Sequence, residues 1–115
     1  SPHGVARGDA FVQLMPQSIP LGTVIAEGPM DALAAAECGY IGLGFMGANP
    51  PALVISAITR YCVANARQIV VVSDEGAVDA AIRVWCNFPG ATLLSTYPWK
   101  DLAATPLQKR KEILR

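Results

Sequence analysis

Acidic residues stand just past the apolar runs of this chain. Glu27 closes "TVIAE", is followed by Gly28, and has Asp31 four positions on. Ser73, Asp74, Glu75 and Gly76 follow "QIVVV"; Lys100 and Asp101 come soon after "ATLLSTY"; Gly47 follows "GFM". A carboxylate is costly to desolvate, so an acid at the end of a buried run either caps a helix or serves a site. Carboxylates that converge raise one another's pKa unless a cation intervenes. Oxygen donors without a neighbouring histidine or thiol suit Mg²⁺ rather than zinc. The chemistry these residues offer is therefore that of a hard divalent ion.

The runs themselves read as strands alternating with helices. "AFVQLM" alternates weakly and fits a short edge strand within an N-terminal extension, residues 1–20. "TVIAE", "YIGLGFM", "QIVVV" and "ATLLSTY" are four short apolar runs of the kind buried in a parallel sheet. Pro29 suits the first position of a helix that Gly39 ends. Pro51 opens a second helix, with Leu53, Ile55, Ile58, Tyr61, Cys62 and Val63 as its apolar face. A third follows "SDEG", with Ala77, Ala81, Ile82 and Trp85 turned to the core. Thr105–Pro106 starts a terminal helix over 105–115. The "QKRK" cluster in it reads as a solvated face, with a nucleic-acid contact the lesser reading.

Alternation of this kind predicts an α/β domain: about four mainly parallel strands, helices on both faces, the first and third apolar runs adjacent at the centre. Ligands of such sheets bind beyond the carboxyl ends of the strands, which is where the acids fall.

The chain has 115 residues, enough for one domain over 1–115. The opening Ser1-Pro2-His3 reads as a boundary, so the expectation is a domain taken from something longer. Nine basic residues balance nine acidic ones, which does not support strong nucleic-acid binding by this piece alone. Cys38, Cys62 and Cys86 are far apart and there is one histidine, which argues against a zinc site. Buried free thiols in a reducing cytoplasm are the simpler reading. No apolar run has the roughly 18–20 residues of a membrane span, and "SPHGVARGDA" lacks the apolar segment of a signal peptide. The expected location is cytoplasmic.

Four segments carry a family resemblance. "VIAEGPMDALAAAECGY" resembles the first motif of the TOPRIM domain, shared by primases, topoisomerases, gyrases and some nucleases. "GFMGANP" is similar to its glycine loop, and "IVVVSDEGAVDAAIR" to its strand–Asp-x-Asp–helix motif. "YPWKDLAAT" is similar to the P-x-K-D segment of primase-type members, and "ARGDAFVQLMP" to the strand that precedes the domain in plasmid and phage primases. The likeness spans nearly the whole chain in the right order. It departs in one place: the Asp-x-Asp window holds Asp74 alone, so one metal ligand is missing, for which Glu75, Asp79 or Asp101 would have to compensate.

The resemblance implies a three-layer, Rossmann-like TOPRIM domain of a DNA primase-like protein. Its chemistry would be Mg²⁺- or Mn²⁺-assisted nucleotidyl or phosphoryl transfer, weak or absent in isolation. It implies Glu27 as general acid or base, and Asp74, Asp101 and Glu27 as metal ligands. Gly28, Asp31, Gly47, Glu75, Gly76 and Lys100 would be supporting or phosphate-proximal. Asp31 either holds its loop through backbone N–H groups or lines the site; Lys100 is either solvated or phosphate-contacting. Template DNA or RNA and nucleotides would be met through other domains. The rival readings are a TOPRIM nuclease and a degenerate, non-catalytic module that binds nucleic acid or protein.

Overall fold

The computed structural model describes residues 11–45, 52–64 and 68–115. Gly47, the start of the second helix at Pro51 and the opening ten residues lie outside them. Within them run β1 (Phe11–Leu14), β2 (Thr23–Ala26), α1 (Pro29–Ala36), β3 (Ile41–Phe45), α2 (Ala52–Ala64), β4 (Ile69–Ser73), α3 (Val78–Trp85), β5 (Thr92–Ser95) and α4 (Leu107–Leu114). The strands form one sheet in the order β1-β3-β2-β4-β5. β2, β3, β4 and β5 are parallel, and β1 is the antiparallel edge strand. β2 and β4, the first and third of the four parallel strands, are neighbours at the centre, with Val24 opposite Val70 and Ile25 opposite Val71.

Side chains alternate across a strand, and the two halves of the core follow that alternation. Ile25, Leu43, Phe45 and Val71 pack with Val54, Ile58 and Cys62 of α2 and with Ala81 and Val84 of α3. Val24, Ala26, Val70 and Val72 pack on the other face with Ala34 and Ala35 of α1 and Leu114 of α4. In β3 the second face belongs to glycine. A Cβ on Gly42 would run into the Ala32 backbone, and one on Gly44 would lie 2.6 Å from the Gly28 carbonyl oxygen. These glycines let α1 rest directly on the sheet.

α1 has no side-chain cap at its start, where Gly28 is extended and Pro29 supplies the first turn. At its end Gly39 has φ +93°. Tyr40 N–H bonds Ala35 O and Gly39 N–H bonds Ala36 O, both 3.1 Å, the two bonds of a Schellman stop.

Several expectations need correction. The inward face of α2 is Val54, Ile58 and Cys62; Leu53 is 66% exposed. α3 begins at Val78, so its buried stripe is Ala80, Ala81 and Val84, while Ile82 and Trp85 lie at the surface. The Trp85 indole N–H donates to Ala91 O at 2.8 Å: it laces the helix end to the following turn instead of filling the core. Cys38 and Cys62 are buried but Cys86 is exposed. Burial pushes the Cys62 thiol up to about 11 and raises Cys38 as well, which leaves both unreactive. Thr105 does not cap α4; its hydroxyl donates to Asp101 O at 2.9 Å.

The largest departure is Arg110, expected on a solvated face. It is 7% exposed. Its Nη1 donates to Ala34 O at 3.2 Å and to the Glu37 carboxylate at 3.0 Å, and Nη2 donates to Thr105 O at 3.0 Å. Tyr40 O–H donates to Leu114 O at 2.8 Å from the same side. Two side chains thus fasten α4 across α1. No helix of the described residues is long and apolar enough to cross a membrane.

Candidate functional site

Because β2 and β4 are parallel neighbours, Glu27 and Asp74 leave the sheet on the same edge. Asp31, in the first turn of α1, comes to the same place because α1 starts only three residues past β2. Asp31 and Asp74 are both buried. Asp74 lies within hydrogen-bonding reach of Asp31, which favours the protonated form of Asp74. Burial first, then the charge and hydrogen bond of Asp31, then the charges of Glu27 and Asp101, push Asp74 up to about 8. Asp31 is also raised, by burial and by Asp101, against the opposing pull of the Ala103 N–H, of Asp74 and of Arg110. Asp74 Oδ1 is buried and accepts no hydrogen bond from an N–H or O–H of the described residues. Such orphaned acceptors are uncommon.

The segment after β5 closes over this pair. Ala103 N–H donates to Asp31 Oδ1 at 2.9 Å. Asp101 Oδ1 accepts from Ala104 N–H at 2.8 Å and so shapes its own turn. Glu75 N–H donates to Lys100 O at 2.9 Å, joining the loop after β4 to the loop after β5. Arg110 holds the far end of that segment through Thr105 O. Asp31 therefore does both things its position allowed. It anchors a loop, though one seventy-two residues away, and it lines the acidic cluster.

The remaining expected residues divide. Glu27 is half-buried at the mouth and its charge acts on Asp74. Asp101 is near enough to act on both aspartates, but one of its oxygens serves Ala104. Glu75 and Lys100 are exposed, and Asp79 is exposed on α3. Gly76 has φ +78°, a conformation that favours glycine, in the turn closed by Ala77 N–H on Asp74 O at 3.1 Å. Gly28 is different: its backbone is extended and a Cβ there would meet nothing within 4 Å. Its carbonyl packs against β3, while its Cβ position faces open space among the described residues.

Among the described residues no three acidic, thiol or imidazole side chains stand close enough together to enclose an ion. The donors gathered here are all oxygen: Asp31 and Asp74 lie together, with the charges of Glu27 and Asp101 near enough to act on Asp74. A third ligand, Glu27 or Asp101, would have to turn inward.

Two contributors escaped the sequence reading. The Ala103 N–H is a backbone group and has no residue signature. Arg110 did have one: it lies four residues before Leu114, on that helix's inward stripe, and a charge at an inward position is normally paired. Compared with protein-family models, curated proteins and solved structures, the chain matches none of them.

Proposed function

We propose that the chain is a TOPRIM-type domain that performs Mg²⁺- or Mn²⁺-assisted nucleotidyl or phosphoryl transfer on nucleic acid, as part of a primase-like protein of plasmid or phage type. The observation that carries this reading is the Asp31–Asp74 pair, buried at the carboxyl ends of two central parallel strands, with Asp74 Oδ1 accepting no hydrogen bond from an N–H or O–H of the described residues. A pair placed only for packing would have no reason to keep that oxygen unsatisfied, at a penalty of about 1–3 kcal/mol.

On this reading Asp74 and Asp31 hold the ion, with Glu27 or Asp101 as third ligand. A bound Mg²⁺ supplies neutralisation of phosphate charge and orientation of the reacting oxygen. The chain's own residues do the rest. Asp74 gives up its proton to become a ligand. The Ala103 N–H keeps Asp31 aimed at it. Glu27, the most accessible of the convergent acids on β2's edge, takes or returns the proton of the attacking or leaving oxygen. The open space over Gly28 gives a phosphate room to approach Glu27. Template and nucleotides are brought by other domains, since nine positive and nine negative residues leave no net charge to gather a polyanion.

A second reading has its own support. The single aspartate after β4 and the lack of three gathered ligands among the described residues favour a module that keeps the fold and binds a partner without chemistry. The discriminating experiment is primer synthesis on a single-stranded template by the full-length parent and its Glu27→Gln variant. Loss of about 10²–10⁴-fold in rate is expected for a proton-transfer residue. A fully active variant would reduce Glu27 to an acid at a helix start.

A further inference from the structure

Beyond the ends of β4 and β5, next to Asp74, lies a small cleft of about 110 Å³ lined by Ser73, Asp74, Ser95, Tyr97, Pro98 and Trp99. Tyr97 is 86% exposed, and the partly exposed Trp99 ring lines the same cleft. The turn that presents it is tied down. Tyr97 N–H donates to Ser95 Oγ at 3.1 Å, Trp99 N–H to Thr96 O at 2.8 Å, and the buried Thr96 hydroxyl to Trp99 O at 3.0 Å. Both rings are therefore held on a fixed backbone beside the acidic pair.

We infer that Tyr97 and Trp99 form a stacking platform for a base of single-stranded nucleic acid, placed at the edge of the Asp31–Asp74 site. The cleft is well below the roughly 300–1,000 Å³ of a pocket for a whole ligand, so it admits one flat ring and leaves sugar and phosphate outside. Glu75 and Val78 also line it; the Glu75 carboxylate repels a phosphate, while it and the serine hydroxyls attract the amino and imino hydrogens of a base edge. The exposed Lys100, next along the chain, is the nearest cation in sequence for the phosphate that remains outside. Stacking also supplies what this chain lacks. With no net charge it draws little affinity from phosphate neutralisation, whereas aromatic stacking adds about 1–3 kcal/mol per base with little regard to sequence. The platform deepens the phosphoryl-transfer reading, on which the reason for a strand being here rests.

The test is fluorescence anisotropy of a short labelled oligothymidylate against the whole chain in EDTA, so that no metal chemistry enters. A strand of equal length without bases serves as the control. The expected result is tighter binding of the base-bearing strand, a loss of roughly five- to a hundred-fold in Tyr97→Ala, recovery in Tyr97→Trp, and little change with salt. Equal binding of the two strands, binding indifferent to Tyr97→Ala, or no binding by the wild type would each overturn the platform. Because the measurement excludes metal, it stands or falls apart from the phosphoryl-transfer reading. A chain that stacks bases yet takes up no Mg²⁺ would lose that reading and keep the platform.

Discussion

Asp74, one residue past β4, lies buried against Asp31 in the first turn of α1, and the nearness of two carboxylates raises the pKa of Asp74. Position in the sheet creates the pairing: β4 lies beside β2, and α1 begins almost at once after β2. The consequences can be measured separately.

The first concerns pH. Asp74 titrates near 8 in the folded chain and near 3.9 when unfolded. Below about pH 4 both states are protonated and this group favours neither. Between about 4 and 8 the folded state holds a proton that the unfolded state has lost, so the group's contribution to stability falls as pH rises, by at most about 1.4 kcal/mol per unit. Urea unfolding across this range should show midpoints declining toward pH 8, by a few kcal/mol in total. Asp74→Asn, which keeps the shape of the neutral acid, should flatten the decline. An identical slope in the variant would place the proton elsewhere.

Gly28 and Gly42 separate function from packing. Gly28→Ala meets only open space and should leave stability within about 0.5 kcal/mol, while lowering the parent's activity if a phosphate passes over that position. Gly42→Ala drives a methyl into the Ala32 backbone and should destabilise by about 1–3 kcal/mol or more. Thermal melts of the two variants, with rate measurements for the first, check both. A destabilised Gly28→Ala would show that its glycine serves the fold.

Arg110 is the third. Arg110→Ala strands the carbonyls of Ala34 and Thr105 and unties the segment that holds Asp31. We expect a loss of about 3 kcal/mol, in keeping with removing one partner from buried charged hydrogen bonds. Arg110→Lys should recover little, because one ammonium cannot reach along two directions as the guanidinium fork does. Denaturant midpoints decide; a lysine variant as stable as wild type would contradict the fork.

The fourth concerns activity. The 115-residue chain alone should neither synthesise primers nor cut DNA at an appreciable rate, for want of net positive charge and of three gathered ligands among the described residues. Robust metal-dependent cleavage by the chain alone would move the assignment to a nuclease.

How much of this was legible beforehand depended on range. "TVIAE" and "QIVVV" announced buried strands, and their acids announced a common edge, because period and burial are local properties. Gly42 and Gly44 read as weaknesses in a strand; they are where α1 touches the sheet, a contact that only the packed structure reveals. The faces of α2 and α3 were misjudged because both helices are apolar on more than one side, and only contact with the sheet selects Val54, Ile58 and Cys62 on one and Ala80, Ala81 and Val84 on the other. Trp85 was assigned inward on hydrophobicity, yet its indole N–H sought a carbonyl at the surface. Asp31's partner, seventy-two residues away, could not be inferred from spacing.

The most direct test of the central claim is an Mg²⁺ titration of the chain by calorimetry near pH 7, repeated in buffers of different ionisation enthalpy and with Asp74→Asn. The account predicts weak binding at millimolar metal, release of about one proton per ion as Asp74 exchanges its hydrogen for the cation, and loss of both in the variant. Binding heat that is absent, or that is unchanged by Asp74→Asn with no proton released, would contradict it.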